Sequence, residues 1–449
     1  MSLSSVEKRN ENIRFVLVGV AFFFVIAAYT ICKELKDVVF MAMVGKQYLK
    51  WVKPISMAFL VPAILFYSYL VNKLKRYQLL YFFASLYGFL GLIFAYFLGD
   101  PDIGLANTAL SESRIFGWLF YFFVEGYSPF VVSVFWAFVN SISTPKSVKK
   151  EYGFLVAGSK LGGVVTAFGA YWLMLRCSKC TYVWDHQLLV IISSLLLLCV
   201  IPAIYLLTKM VPESYLHGYE AAYKADGGDK PKKVGLFQGL KLFVEQPYVF
   251  GIFLMLFFYE VINTILNNQR LILAGERSTE VAELSATLFK TVGYIHLITF
   301  FVSLIGTSAL LRFFGEKRCL VSIPVIIGLL LLVFALNPTY HSLGAVYVII
   351  RIVNNAISSP IREALYVPTI KEIKFQSKSW IDSFGSKFAK SIGAFGIASA
   401  EKYAAIYGMT LFSMLNVYFV AIIPLWVFAS YKLGKRYDKA VGRNETIGN

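Results

Sequence analysis

The chain has 449 residues, of which 58% are hydrophobic and only 15% are charged, and its mean hydropathy is +0.65. Soluble domains carry about 25% charged residues, so this composition excludes a soluble protein and indicates an integral membrane protein. In a soluble chain the net charge of +17 would suggest a nucleic-acid partner. In a membrane protein Lys and Arg accumulate in cytoplasmic loops, so we expect no nucleic acid here.

Hydrophobic segments long enough to cross a bilayer recur along the whole chain. A spanning helix needs about 20 mostly apolar residues. The fold class that we predict is an all-α membrane protein, with the lipid bilayer as a partner and a monomer as the functional unit. The sequence predicts twelve transmembrane helices, near residues 15–44, 54–72, 78–98, 115–142, 152–175, 187–208, 247–268, 286–312, 319–336, 343–367, 380–400 and 407–430.

The loops predict how the chain is inserted. The N-terminal segment MSLSSVEKRNENIR leads straight into the first span, with no cleavage site and no transit-peptide composition. Basic segments such as NKLKRY at 72–77, STPKSVKKE at 143–151 and RFFGEKR at 312–318 fall on one side, together with both termini. By the positive-inside rule we predict a multi-pass protein of the bacterial inner (plasma) membrane, with both termini cytoplasmic.

One long polar connection divides the predicted spans six and six. We therefore expect an N-terminal six-helix bundle over 1–207, a cytoplasmic linker over 208–246 and a C-terminal six-helix bundle over 247–449. Each half also contains a matching series of signals.

The repeated signals are a Ser-Pro inside a span, then a basic loop, then a Gly-Ser-Lys that opens a helix of small residues. They read VEGYSPF (124–130) and AGSKLGGVVTAFGA (157–170) in the first half, and AISSPIR (356–362) and FGSKFAKSIGAFGIA (384–398) in the second. A parallel repeat of six spans is typical of the major facilitator architecture, with pseudo-symmetric halves.

Charged residues interrupt the first span at KELKD. Lys33 and Asp37 are four residues apart and can pair on a helix, which would leave Lys36 free to face a cavity. The alternative is that KELKD is the outer end of the span, with its lysines reaching the headgroups.

Two carboxylates and a larger set of cations lie at membrane depth in the later spans. Glu125 and Glu260 are flanked by apolar residues on both sides, so each must pair with a cation, bind a proton or be kept neutral. An excess of cations in a low-dielectric cavity favours an anionic substrate. The candidate substrate-binding residues are Lys36, Glu125, Lys160, Glu260, Arg362, Lys387 and Lys390, and the candidates for coupling or charge balance are Asp37, Glu363 and Asp382.

Aromatic residues near these charges could stack on a purine base. The candidates are Tyr29, Phe135, Trp136 and Tyr259. No Walker loop, GxSxG motif or His cluster is present in the sequence, so we predict neither an enzyme nor a cofactor. Cys177 and Cys180 are either incidental or a disulfide, and with His186 they offer at most three zinc ligands, so no metal is expected.

Two segments resemble a known family. REALYVPTIKEIKFQSKSWIDSFGSKFAKSIGAF (362–395) and KELKDVVF (33–40) resemble the ATP/ADP translocase (nucleotide transporter) family of obligate intracellular bacteria and plastids. The resemblance implies a twelve-span fold and makes Lys36, Glu125, Glu260 and Arg362 the essential charges. Arg362 stands where that family usually has a lysine.

The leading hypothesis is a nucleotide transporter that exchanges ATP and ADP by alternating access, with a cationic central site. A proton-coupled importer of nucleotides or of another phosphorylated anion is the alternative within the same class. A membrane sensor or scaffold that transports nothing is the alternative from a different class.

Overall fold

The computed structural model is almost entirely helical. It describes residues 5–74, 76–142, 145–176, 182–212, 245–305, 307–366, 368–370, 373, 377–443, 445 and 447–448. In these residues the extended structure is a single parallel β-bridge between Thr369 and Ile447. The predicted all-α class is confirmed.

The helices are given in chain order. In the first part of the chain they are α1 (Ser5–Met43), α2 (Leu49–Lys73), α3 (Arg76–Leu98), α4 (Ile115–Tyr127), α5 (Ser133–Ile142), α6 (Pro145–Arg176), α7 (Tyr182–Leu198) and α8 (Val200–Met210). In the second part they are α9 (Pro247–Arg277), α10 (Val281–Ile305), α11 (Thr307–Leu336), α12 (Tyr340–Val353), α13 (Ser359–Leu365), α14 (Ser386–Tyr407) and α15 (Leu411–Gly442).

Nine helical segments of the described chain are long and apolar enough to cross a membrane. Large apolar side chains such as Phe313, Leu336 and Val420 are mostly exposed on these helices, which suits contact with lipid tails. The chain is a multi-pass membrane protein. The predicted total of twelve spans remains a prediction.

The chain forms two compact units. Unit 1 comprises Met1–Lys46, Phe59–Lys232 and Ser278–Phe300, and unit 2 comprises Gln47–Ala58, Lys233–Arg277 and Phe301–Asn449. The start of α2 therefore belongs to unit 2, and most of α10 belongs to unit 1. The six-helix bundles predicted for 1–207 and 247–449, and the linker at 208–246, remain predictions.

In unit 1 the long helix α1 packs against α6, α7 and α8. Its approach to α6 is close because Gly162 has no side chain: a Cβ there would lie 2.6 Å from the carbonyl oxygen of Phe23. Aromatic rings fill the interior, and Phe22 stacks on Phe135 with a centroid distance of 4.6 Å. This packing fixes the rotation of α1 and therefore the direction of its charged residues.

In unit 2 the helix α9 packs against α12, α14 and α15. Gly393 has the role on α14 that Gly162 has on α6, since a Cβ there would lie 2.9 Å from the carbonyl oxygen of Val261. The small residues that follow each Gly-Ser-Lys therefore allow close helix packing, as predicted.

Both copies of the Ser-Pro signal contain a π-helical turn. In the first copy the turn spans Ser128–Val132 and includes Pro129, and in the second it spans Asn354–Ser358 and directly precedes Ser359 and Pro360. Proline lacks the N–H for an i−4 bond and its ring crowds the carbonyl of that residue, so the helix widens locally. The repeat that the sequence predicts thus appears as the same backbone irregularity in both units.

Two predicted boundaries are wrong. The Gly-Ser-Lys of the first copy lies inside α6, because no break precedes it, whereas α14 begins at Ser386 after a π-helical turn. Most of the predicted loop 143–151 belongs to α6, which begins at Pro145. The segment 312–318 does contain a break, because Gly315, with φ 72° and ψ 162°, kinks α11 there and separates two helical stretches.

Two sequence interpretations fall where the structure gives no description. Cys177 and Cys180 lie outside the described residues, as does most of the segment 208–246.

Candidate substrate-binding site

A buried charge cluster in unit 1 joins α1 to α4. We call Lys36, Asp37, Tyr121 and Glu125 the lysine cluster. The Lys36 ammonium donates to Asp37 Oδ1 at 2.7 Å and lies 3.3 Å from Glu125 Oε1, with only 8% of its side chain exposed. The same ammonium lies 4.1 Å from the centre of the Tyr121 ring. One cation is therefore held by two carboxylates and an aromatic face.

The pairing within α1 differs from the prediction. Lys36 is not free to face a cavity, because it binds Asp37 and Glu125, whereas Lys33 lies 3.7 Å from Glu34. The side chain of Lys33 is 26% exposed. Of the two ammonium groups, that of Lys36 is the more deeply buried and therefore the one that most requires carboxylate partners. This explains why Asp37 pairs with Lys36 rather than with Lys33.

The carboxylate of unit 2 has a different environment. Glu260 lies on α9, where its Oε1 accepts a 3.4 Å hydrogen bond from Ser386 Oγ. Its buried Oε2 has no hydrogen-bond partner among the residues that the structure describes. Since an unsatisfied buried carboxylate oxygen is costly, this atom is suited to accept a hydrogen bond from a further donor.

A second cationic group, this one in unit 2, lies between α9 and α12. We call Arg270, Tyr347 and Arg351 the arginine seam. The guanidinium carbons of Arg270 and Arg351 lie 4.5 Å and 6.0 Å from the centre of the same Tyr347 ring. Arg270 is 5% exposed, and its Nη2 donates to Asn267 Oδ1 at 3.1 Å. Two guanidinium groups thus border one aromatic ring between these helices.

Arg362 belongs to a further group of charges, at the end of α13. Lys378 pairs with Glu363 and lies 5.5 Å from the centre of the Tyr366 ring. Arg362 and Lys378 both lie close enough to Asp382 to attract its carboxylate electrostatically. The structure therefore brings three of the predicted residues together, namely Arg362, Glu363 and Asp382. Arg362 lies about three helical turns along the chain from Arg351 of the arginine seam.

The remaining predicted cations are half-buried on helices. Lys160 lies within α6, and Lys387 and Lys390 lie in the first turns of α14. Their role in substrate binding remains a prediction.

The predicted base-stacking residues have unequal surroundings. Phe135 is fully buried and stacks on Phe22, which is the place of a core residue rather than of a platform for a ligand. Trp136 meets Phe22 edge to face at 5.0 Å, and Tyr29 stacks on Tyr127 at 5.4 Å. Apolar packing in unit 1 therefore occupies at least one face of Phe135 and engages the other two rings.

Tyr259 is the fourth predicted stacking residue, and it lies in unit 2. Its side chain is buried on α9, and its hydroxyl faces Arg351 and Tyr347. Tyr259 thus extends the arginine seam towards Glu260.

Sequence reasoning missed Arg270 and Tyr347. The predicted span ended at residue 268, because the run NNQR looks like a boundary, but α9 continues to Arg277. The signal that could have found Arg270 is spacing. Tyr259, Asn263, Asn267 and Arg270 recur at intervals of four, four and three residues and so form one face of the helix.

The family model described as TLC ATP/ADP transporter matches residues 109–354, more than half of the chain. The chain belongs to the TLC ATP/ADP transporter family. The resemblance found in the sequence is confirmed, and the protein is a transporter rather than an enzyme.

Curated relatives match the chain over nearly its whole length. ADP,ATP carrier protein 4 of Rickettsia conorii is 22% identical, over 97% of this chain and 94% of its own length. ADP,ATP carrier protein 3 of Rickettsia prowazekii is 22% identical, over 96% of both chains.

Solved transporters share the fold. The xylose transporter XylE from E. coli, in an inward open conformation, gives a TM-score of 0.60 at 10% identity over 95% of both chains. A bacterial homologue of the human lysosomal transporter Spinster gives 0.57 at 13% identity, over 98% of this chain and 99% of its own. These similarities concern the fold alone, and they confirm the predicted major facilitator type.

Proposed function

We propose that this protein exchanges ATP for ADP across a bacterial inner membrane by alternating access, with buried cations that bind the phosphates. Membership of the TLC ATP/ADP transporter family and relatives described as ADP,ATP carriers support the nucleotide as substrate. The major facilitator fold supports alternating access, because such transporters rock two bundles around a central site.

The lysine cluster is the observation that carries this proposal. An ammonium with two carboxylates deep in the membrane is expensive to bury, so a purely structural role is poorly explained. A phosphate oxygen can replace Glu125, whose 3.3 Å contact with Lys36 is longer than the 2.7 Å contact with Asp37. When the nucleotide leaves, Glu125 returns to Lys36, and the ammonium is neutralised in both states.

Counter-exchange in proteoliposomes tests the proposal. We expect labelled ATP to enter vesicles that contain ADP and not vesicles without internal nucleotide. Lys36→Gln should lower the exchange rate roughly thirtyfold or more, as expected when one partner of a buried charge pair is lost. Lys33→Gln, one turn away on the same helix and more exposed, is the matched control and should exchange normally. Exchange at the normal rate by Lys36→Gln would contradict the proposal.

Glu260 supports a second candidate, proton-coupled import of nucleotides. Its buried Oε2 has no hydrogen-bond partner within the described part of the chain, so the carboxyl can carry a proton there. In this mechanism labelled ATP enters vesicles without internal nucleotide when a pH gradient is applied. Glu260→Gln should then abolish uptake driven by the gradient and leave ATP–ADP exchange in place.

The predicted topology and assembly complete the proposal. The basic segments that fall on one side of the predicted spans support cytoplasmic termini, and we expect the monomer to transport. A protease that reaches a C-terminal tag only in inverted vesicles would agree with this orientation. Cleavage of the tag from the periplasmic side would contradict it.

A further inference from the structure

We propose that the arginine seam binds the phosphoryl groups of the nucleotide, and that the buried amide of Asn263 binds a donor group of the nucleoside. This inference rests on the proposed function and assigns residues of unit 2 to it. Arg270, Tyr347 and Arg351 form the phosphate part of the site, and Asn263 forms the nucleoside part.

The geometry of the seam suits a polyphosphate. Each guanidinium group offers several N–H donors in a planar fork that matches phosphate oxygens in pairs. Arg270 and Arg351 lie 4.5 Å and 6.0 Å from the centre of one Tyr347 ring, so both guanidinium groups border that ring. The face of an aromatic ring attracts a guanidinium group and helps to hold its plane in position.

Asn263 provides an independent observation that points to a ligand. It is 8% exposed, and its Oδ1 has no hydrogen-bond partner among the residues described by the structure. It shares a helical face with Tyr259, Asn267 and Arg270, and this face is turned towards α12. A buried carbonyl oxygen of this kind requires a donor. A nucleoside supplies donors on its ribose hydroxyls and its exocyclic amine, whereas the phosphate groups of a nucleotide supply mainly acceptor oxygens.

A purely structural role makes a different prediction. In that case Arg270 would only join α9 to α12 by stacking, as Arg277 does at the ends of the same two helices. The guanidinium carbon of Arg277 lies 4.5 Å from the centre of the Tyr340 ring, the same distance as in the pair of Arg270 and Tyr347. Arg277 is exposed, whereas Arg270 is buried. The chain thus contains its own matched control.

The test is equilibrium binding of ATP, pyrophosphate and adenosine to the purified full-length protein in lipid nanodiscs. Arg270→Lys and Arg351→Lys keep the positive charge and lose the fork. We expect each to weaken ATP and pyrophosphate about tenfold to a hundredfold, because a charge-assisted bidentate contact is lost, and to leave adenosine unchanged. Asn263→Leu should weaken ATP and adenosine and leave pyrophosphate unchanged. Arg277→Lys should bind all three like the wild type.

Arginine labelling of the wild type gives a second measurement that does not depend on the folding of a variant. Phenylglyoxal should modify Arg270 and Arg351 less in the presence of ATP than in the presence of adenosine, and Arg277 equally in both. Equal modification of Arg270 with either ligand would overturn the inference, as would normal ATP affinity in both seam variants. A wild type that binds neither ATP nor ADP would instead refute the proposed function itself.

Discussion

The lysine cluster of unit 1 and the arginine seam of unit 2 share one kind of contact but differ in the charged groups beside it. In each, a cation lies over a tyrosine ring, at 4.1 Å for Lys36 over Tyr121 and 4.5 Å for Arg270 over Tyr347. Two carboxylates contact the cation of the cluster, whereas a second guanidinium group borders the ring of the seam. The same contact between a cation and a ring therefore occurs once beside two carboxylates and once beside a second cation.

The difference has a consequence for exchange. The ammonium of the cluster is already compensated by two carboxylates of unit 1, so it can stay buried with or without substrate. A pair of guanidinium groups on one ring is stabilised further when a phosphate joins it. We therefore expect a bound nucleotide to stabilise the seam more than it stabilises the cluster. This difference suits a carrier that changes conformation only when a nucleotide is bound.

The largest expected effect is the loss of the ammonium in the cluster. Lys36→Met leaves Asp37 and Glu125 buried without their shared cation, so the free energy of unfolding should fall by about 3–5 kcal/mol. Arg351→Met should cost less, because the contact that it removes with the Tyr347 ring is long, at 6.0 Å from the ring centre, and a cation–π contact is worth about 0.5–2 kcal/mol. Thermal unfolding of each variant without ligand measures the difference.

The double variant Lys36→Met with Glu125→Gln is the control for this prediction. It should recover part of the stability, because one buried carboxylate is removed together with its partner, but it should not recover exchange. If Lys36→Met and Arg351→Met were equally destabilised, the contrast between the lysine cluster and the arginine seam would fail.

The charges and the repeat were predictable from the sequence, but their partners were not. An ionisable residue inside an apolar run is visible in a sequence, which is why Lys36, Glu125 and Glu260 could be named. Whether Lys36 or Lys33 binds Asp37 depends on the rotation of α1 against α4, and that rotation is set by packing around Gly162 and other contacts far along the chain.

Arg270 was not predicted from the sequence, for a related reason. Hydropathy treats four polar residues in a row as the end of a span, but Asn268, Gln269 and Arg270 are buried here, and Arg270 meets a neighbouring helix that is also polar. The neighbouring helix is α12, which carries Tyr347 and Arg351, and no local property of residues 267–270 predicts this contact. The Ser-Pro copies were recognisable because proline acts on its own helix.

Helix packing provides the next largest effect. Gly162 brings α6 to the helix that carries Lys36, and Gly393 brings α14 to the helix that carries Arg270. Alanine at either position places a Cβ within 3.0 Å of a backbone carbonyl oxygen, at 2.6 Å and 2.9 Å respectively. The free energy of unfolding should fall by about 1–3 kcal/mol, more for Gly162→Ala. Reversible unfolding in detergent is the measurement.

Two glycines on the same helices serve as controls for the packing variants. A Cβ at Gly169 has no atom within 4 Å, and at Gly396 the nearest is 3.9 Å away. Gly169→Ala and Gly396→Ala should therefore raise stability by up to about 1 kcal/mol, through helix propensity alone. A loss of stability in these controls that matches Gly162→Ala would remove the argument from close approach.

The smallest expected effect concerns the rings themselves and separates the two groups most sharply. Tyr121→Leu removes one cation–π contact, worth about 0.5–2 kcal/mol, so the stability of the ligand-free protein should fall. ATP affinity should change little, because Lys36 keeps both carboxylates. Tyr347→Leu releases two guanidinium groups at once, and the same energy should appear as a twofold to thirtyfold loss of ATP affinity. Tyr121→Phe and Tyr347→Phe keep a ring and should restore each property. If Tyr121→Leu lost ATP affinity and Tyr347→Leu kept it, the assignment of the seam would be wrong, because Tyr121 rather than Tyr347 would then be the ring that orients a phosphate-binding cation.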